Sequence, residues 1–302
     1  MYDLITIGSI SMDMYYKGDS LTQSKDRFTL AIGGKYLMDH FYSGLGGGAA
    51  NVAIGVQKQG FKTAVIGKIG NNSFKKMILE HLENHEVSHS MCQYEDDYMK
   101  ISSILLSPSG ERTIIHYETP HEHILEVEED LHKFDKAEVV YMSNLWRVPL
   151  AERERVLAHV HAAGILTVVN LGIADCKRPT DQIQGLLQHV DILIINTHEC
   201  AELLKRQFSA IDWHSDVTKN TSYLKDKIVV VTDGANGSFS YVDGVVTHVT
   251  ALRTTKVLDT TGAGDAYSAG FISGYLKTKN VELSMRLGAK LGSHIVQKIG
   301  AN

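Results

Sequence analysis

Six short runs of β-branched and other apolar residues recur along the chain: Leu4 to Ile7, Ala64 to Ile66, Val139 to Met142, Leu166 to Val169, Ile192 to Ile195, and Ile228 to Val231. A strand that is apolar at every position has no face to offer water, so it must be covered on both sides. Between the runs, Phe74 to Leu82, Ala151 to Ala162, Gln182 to Gln188 and Cys200 to Gln207 carry apolar residues at helical spacing and supply that cover. The alternation predicts a doubly wound α/β domain with a mostly parallel sheet between helical layers. With 302 residues, 43% of them hydrophobic, the chain can bury one large core.

Two regions break the rhythm. Residues Met14 to Tyr42 form a largely polar stretch, with Tyr15, Tyr16 and a turn at Gly33-Gly34. Tyr98 to His116 reads as two short strands, Ile101 to Leu106 and Thr113 to Tyr117, around the turn Ser107-Pro108-Ser109-Gly110. These two segments either join into a small sheet projecting from the main domain or remain separate surface hairpins. Neither a low-complexity linker nor an internal repeat marks a second domain, so residues 1–302 are expected to form one unit with insertions near 14–42 and 98–117.

Thirty basic against 35 acidic residues leave a net charge of −5, which offers no general field for nucleic acid or an anionic membrane. Any phosphate-handling site must therefore be local. Cys92, Cys176 and Cys200 lack C-x-x-C spacing, which points to free thiols in a reducing compartment. The N-terminus lacks a signal-peptide pattern and no run reaches membrane-spanning length, so a cytoplasmic protein is expected.

The segment with the most chemical content is Asp259 to Phe271, DTTGAGDAYSAGF. Gly262-Ala263-Gly264 removes bulk at a turn, Asp265 follows, and Ala266 to Leu276 continues as an apolar helix. Such a turn aims backbone N–H groups and the positive end of a helix at one point, which makes an anion site. A carboxylate at the same place can take a proton from an approaching alcohol while the amides hold a transferring phosphoryl group. The plainer alternative is a Gly-rich turn capped by Asp.

A second Gly-rich segment, Gly44 to Asn51, precedes a helix-like stretch through Gln59. No G-x-x-x-x-G-K-[ST] occurs, which disfavours a P-loop enzyme, and the missing downstream acidic residue disfavours a dinucleotide-dependent oxidoreductase. Triple glycine followed by Asn51 suits close backbone and amide contact with a polyhydroxylated ligand, or simply a tight strand-to-helix connection.

Both segments resemble the two signatures of the PfkB, or ribokinase-like, family: GGGAANVA at Gly46 to Ala53, with later glycines at Gly60, Gly67 and Gly70, and DTTGAGDAYSAGF. The resemblance covers nearly the whole chain. It implies a Rossmann-like three-layer α/β/α domain with a small β-sheet lid, the lid often pairing between subunits of a homodimer. It also implies ATP and Mg²⁺ as cofactors and transfer of phosphoryl to a hydroxyl, a primary one, of a sugar. Asp265 would be the general base, and Gly262, Ala263 and Gly264 the anion hole. In ITIGSISMD, Asp13 matches an Asp that contacts substrate hydroxyls, with Gly46, Gly47, Gly48 and Asn51 completing the acceptor site. Asn144 stands where it can replace a sugar-binding residue of relatives, a turn-forming role being the alternative.

INTHECAELL is similar to the family's N-x-x-E motif and assigns Asn196 and Glu199 to the Mg²⁺ and phosphate environment. VTDGANGSF resembles a T-x-G-x-x-G segment and places Thr232, Gly234 and Gly237 near the nucleotide, while SGERTI resembles the turn of a lid strand. Asp259 and Thr261 become candidates for a monovalent cation, K⁺, beside the anion hole. Some positions depart from the pattern. Ser11-Met12-Asp13 replaces the Asn-x-Asp usual in ribokinases, Ala289 replaces a polar residue beside adenine, and the sequence stops at Gly300-Ala301-Asn302, before further cation-site residues. The acceptor is therefore open between a sugar and a nucleoside, and a non-catalytic relative would have lost the base that is present here. His116, His121 and His123, with Glu118 and Glu122 around Pro120, read as a solvated loop rather than a metal site, and Glu126 to Asp130 as an exposed helix start.

Overall fold

The computed structural model describes all residues except 25, 26, 108–111, 122, 124, 126, 127, 146, 255 and 256; at 22–24, 128 and 129 it describes the backbone alone. The first strands are β1 (Tyr2–Ile7), β2 (Ser11–Lys17), β3 (Thr22–Ser24), β4 (Arg27–Thr29), β5 (His40–Gly46), β6 (Thr63–Ile66), β7 (Lys68–Gly70) and β8 (Gln93–Glu95). Then follow β9 (Lys100–Leu106), β10 (Arg112–Glu118), β11 (Ala137–Met142), β12 (Leu166–Val169), β13 (Ile192–Asn196), β14 (Ile228–Thr232), β15 (Ser238–Val242) and β16 (Val245–Val249). The helices are α1 (Gly48–Gln57), α2 (Lys75–Asn84), α3 (Leu150–Ala162), α4 (Ile173–Cys176), α5 (Thr180–Leu187), α6 (Thr197–Leu203), α7 (Ala263–Thr278) and α8 (Val281–Ile295).

All six apolar runs enter one eight-stranded sheet of order β16-β15-β14-β13-β12-β11-β1-β6. Side chains alternate between its faces, and each face has its own core. Leu4, Val139, Tyr141, Ile192 and Ile194 pack with Val52 of α1 and Phe271 of α7, while Ile5, Ile7, Val140, Met142, Leu193 and Ile195 pack with Val156 of α3 and Leu186 of α5. The expected doubly wound layering is present, with one difference: β14, β15 and β16 pair antiparallel. The hairpin follows from Asp243-Gly244, both at positive φ (50° and 81°), a two-residue turn whose twist suits antiparallel strands.

The chain leaves β1 toward β6 on one side and, further on, leaves β11 toward β12 on the other. Ligands of such sheets gather beyond the strand ends where the direction reverses. Here that point lies at Gly8 and Ser143, which follow β1 and β11.

Over it stands a four-stranded sheet of order β10-β9-β2-β5, so the two irregular regions do join. Its register sets Gly44, Asp13, Ser102 and His116 in one row, and Tyr42, Tyr15, Ile104 and Ile114 in the next row of the same face. The turn at 108–110 and the start of SGERTI lie outside the described residues. Several other boundaries differ from the sequence pattern. Helix α6 stops at Leu203 instead of Gln207, because Lys205 adopts φ 54°. Helix α8 was not anticipated; Asn280 caps it, its Oδ1 accepting from Leu283 N at 2.9 Å. The acidic stretch falls partly outside the described residues, and a 3₁₀ segment follows at Glu128–Lys136.

Candidate active site

Two small residues decide where the central carboxylate sits. Helices α1 and α7 cross so closely that a methyl group placed on Gly55 would lie 2.5 Å from the Ala269 Cβ. Asn51 is one turn before Gly55 and Asp265 one turn before Ala269, on the same faces of their helices. The crossing therefore sets them side by side, and Asn51 Nδ2 donates to Asp265 Oδ2 at 2.7 Å. The amide assigned to the acceptor is engaged by the base candidate instead.

Burial raises the Asp265 pKa above the usual carboxylate range, the Asn51 hydrogen bond opposes that shift, and the charge of Asp13 adds to it. Asp13 is itself 6% exposed and raised by burial, with hydrogen bonds from Ser102 and Ser11 working the other way. Ser11 Oγ donates to Asp13 Oδ1 at 3.2 Å. The three glycines before α1 serve distinct ends. A Cβ on Gly46 would lie 2.1 Å from Asp13 Oδ2, and one on Gly47, at φ 95°, would lie 2.4 Å from Ser9 O. On Gly48 it would intrude between Ser143 Cβ (3.1 Å) and Asp265 Oδ1 (3.4 Å). The glycine run thus brings β2, the β1 end and α7 together around a shared space.

At the start of α7, Gly262 takes φ 75° against Ala301, whose Cβ would be 2.4 Å from an added methyl. Ala263 N donates to Thr260 O at 3.3 Å, and a Cβ added to Gly264 would meet nothing within 4 Å, so the loop borders open space at that residue. Gly264 N and Asp265 N lie in the first turn of α7, where N–H groups have no intrahelical hydrogen-bond partner. Asp259 braces the loop: Oδ1 accepts from Thr261 N (2.9 Å) and Oγ1 (2.7 Å), and Oδ2 from Gly300 N (3.2 Å).

On the far side of Asp265 are two cavities of about 560 and 510 Å³ that share Thr232, Gly234 and Gly264. The larger is lined by Ala251, Leu252, Ala289 and Val296, and is bordered by Gly237, which runs so close to Val249 O that a Cβ would lie 2.1 Å from it. The smaller lies between Asp265 and the pair Asn196 and Glu199. That pair forms a capping box for α6: Glu199 N donates to Asn196 Oδ1 and Asn196 N to Glu199 Oε2, both at 2.9 Å. Burial raises the Glu199 pKa against the pull of the Asn196 hydrogen bonds.

Ser143 here carries no sequence signal, and Arg112 and Asn302 carry none for the partners they meet. Among the described residues, eight buried side-chain polar atoms lack a hydrogen-bond partner, and five of them belong to Tyr15, Arg112, Ser143, Asn144 and Asn302. Orphaned buried groups are costly, so their gathering marks a place shaped for a polar occupant. Arg112 reaches from β10 to the anion loop, its Nη1 donating to Thr260 Oγ1, and Asn302 Nδ2 donates to Asn51 Oδ1 at 3.1 Å. Asn144 packs against Gly172, and Asn170 Nδ2 donates to Ile194 O at 2.8 Å.

The histidine segment is a solvated loop only in part, with His123 exposed outside any strand or helix. His116 lies in β10 with its Nδ1 3.2 Å from Ser102 Oγ, and Glu118 is 5% exposed, enclosed by Lys100, His121 and Tyr98. Glu122 lies outside the described residues. All three cysteines are free and buried. No helix among the described residues is long and apolar enough to cross a membrane.

Over residues 1–302 the chain matches the model of the pfkB family carbohydrate kinases. It is 25% identical over 311 aligned residues to 5-dehydro-2-deoxygluconokinase of Listeria innocua, covering 98% of this chain and 90% of that protein. The ribokinase of Arabidopsis thaliana, solved with ribose and ATP, superposes with a TM-score of 0.80 at 23% identity, over 99% of this chain and 94% of that one. The adenosine kinase of Sinorhizobium meliloti superposes with a TM-score of 0.77, also at 23% identity, over 100% and 95%. With the match spanning every residue from the first strand to the loop behind α7, the chain belongs to the pfkB family of carbohydrate kinases.

Proposed function

We propose that the protein transfers the γ-phosphoryl group of ATP to a hydroxyl of a sugar or sugar acid, with Asp265 as the general base. The observation that carries this is the placement of Asp265, fixed by Asn51 and set between the orphaned polar groups near Asp13 and the cavities behind Gly264. On one side Asp13, Ser143 and the backbone near Gly46 to Gly48 hold the acceptor; on the other the nucleotide lies along Thr232, Gly234 and Ala289. The acceptor hydroxyl gives its proton to Asp265 as its oxygen bonds to the γ-phosphorus, and the bond to the ADP oxygen breaks. The Gly264 and Asp265 amides, with the Arg112 guanidinium beside Thr260, stabilise charge on the moving group. Glu199 and Asn196, on the wall of the smaller cavity, would hold the nucleotide's Mg²⁺, which would supply positive charge to offset that of the phosphates. Asp259 and Thr261 brace the loop, and no step is assigned to a monovalent cation there.

Sugar acids belong among the acceptors because the Listeria relative is named for one. ADP release measured over pentoses, hexoses, sugar acids and nucleosides, with Asp265→Asn as control, tests the proposal. Turnover on a sugar or sugar acid that vanishes in the variant supports it. Turnover on nucleosides alone would replace the acceptor class, and turnover on none would reject the function.

We also propose that two copies pair through the small sheet. Its face away from Asp13 leaves Phe41 57%, Ile115 57% and Tyr117 55% exposed, a concentration of apolar surface rare on a solvated strand face.

A further inference from the structure

We propose that Asn302 is a positioning residue that keeps Asp265 in its charged, proton-accepting form by fixing the sense of the Asn51 amide. The inference rests on Asp265 acting as the base. Its carboxylate meets the protein chiefly through Asn51, whose side chain is 6% exposed and nearly symmetrical in shape. Turned one way, that amide presents N–H to Asp265; turned the other, it presents oxygen. The first orientation favours the carboxylate. The second favours the protonated acid, which can donate to the oxygen.

Burial and the nearby Asp13 already work toward the protonated acid, so the choice of amide orientation matters. Asn302 makes that choice. Its Nδ2 donates to Leu45 O at 2.7 Å and to Asn51 Oδ1 at 3.1 Å. Both acceptors are oxygens, so Asn302 must point its NH₂ at them, and Asn51 must then point its own NH₂ at Asp265. The relay runs in one direction, from Asn302 through Asn51 to Asp265. Leu45 belongs to β5, so the relay is also anchored on the small sheet above the acceptor. Without Asn302, Asn51 is free to turn over as Asp265 takes up a proton, and the acid form gains a partner it now lacks.

The test uses Asn302→Ala and the nearly isosteric Asn302→Asp, whose carboxylate would draw the Asn51 N–H away from Asp265. Circular dichroism and thermal melting establish that each is folded. In both variants the acid limb of the kcat profile should move to higher pH by roughly half to one unit, the equivalent of one hydrogen bond, while KM for ATP stays the same. In an Asn51→Ala background, removing Asn302 should have no further effect on that limb, because it acts only through the amide. A ¹³C NMR titration of Asp265 should show the same upward shift without any acceptor. An unchanged Asp265 titration in folded Asn302→Ala, or a full effect persisting in the Asn51→Ala background, would overturn the proposal. If the wild-type enzyme turns over no acceptor, the proposed function fails, and the titration still decides the role of Asn302.

Discussion

Asp265 and Asp13 are both carboxylates whose pKa is raised by burial, yet their surroundings differ. Asp265 faces the anion loop, whereas Asp13 sits in a strand row with Ser102 and His116. Asp265→Asn keeps the size but cannot take a proton, so kcat should fall by about 10²-fold or more with little change in acceptor KM. Asp13→Asn weakens a charge-assisted contact to a hydroxyl, and steady-state kinetics should show acceptor KM rising by about 10-fold. If Asp265 is the base it must be ionised, and since burial raises its pKa above that of an ordinary Asp, kcat should decline on acidification at a higher pH than a free carboxylate would require. A pH profile of the wild-type enzyme checks the sign. Arg112 has no carboxylate partner among the described residues and leans on the anion loop. Arg112→Met keeps the aliphatic stem, and should lower kcat by about 10²-fold without lowering the melting temperature.

At the scale of elements, the crossing of α1 and α7 is the joint on which the site turns. Gly55 lets the helices approach, and the pair Asn51 and Asp265 meets because each lies one turn away from the contact. Gly55→Val would force the helices apart or strain the core, an overpacking defect of about 1–3 kcal/mol. Its melting temperature should drop by a few degrees. Activity should fall by more than the unfolded fraction accounts for, because the Asn51 hydrogen bond lengthens in molecules that stay folded. Equal loss of activity and of folded protein would show the crossing to be structural only. Helices α7 and α8 pack in the same way: a Cβ on Gly270 would lie 2.7 Å from Leu287 O.

For the whole molecule, the small sheet presents the Asp13 row on one face and exposed Phe41, Ile115 and Tyr117 on the other. If two copies pair there, Ile115→Lys should turn a dimer into a monomer in sedimentation velocity, since charge on a buried interface is strongly unfavourable. A monomeric wild-type protein would remove that proposal. The sheet should also respond to ligand. Amide hydrogen exchange in β5, β9 and β10 should slow when a competent acceptor is present, and unchanged exchange at saturation would argue against closure over the site.

What the sequence determined by itself was local. Apolar runs of strand length fixed the central sheet, because a strand buried on both faces tolerates little else. The glycines of Gly46 to Gly48 and Gly262 to Gly264 announced two tight turns, and Asp265 stood out because it follows one of them. Asp243-Gly244 carries a turn signal of the same local kind. Tertiary structure alone decided the rest. No local pattern assigns Arg112 or Asn302 its partner, since they reach Thr260 and Asn51 across 148 and 251 positions of sequence. Likewise, Glu118 looked like part of a solvated loop until Lys100 and His121 enclosed it. Spacing along a chain encodes which face of a strand or helix a residue occupies; which distant side chain it then meets depends on how the layers pack.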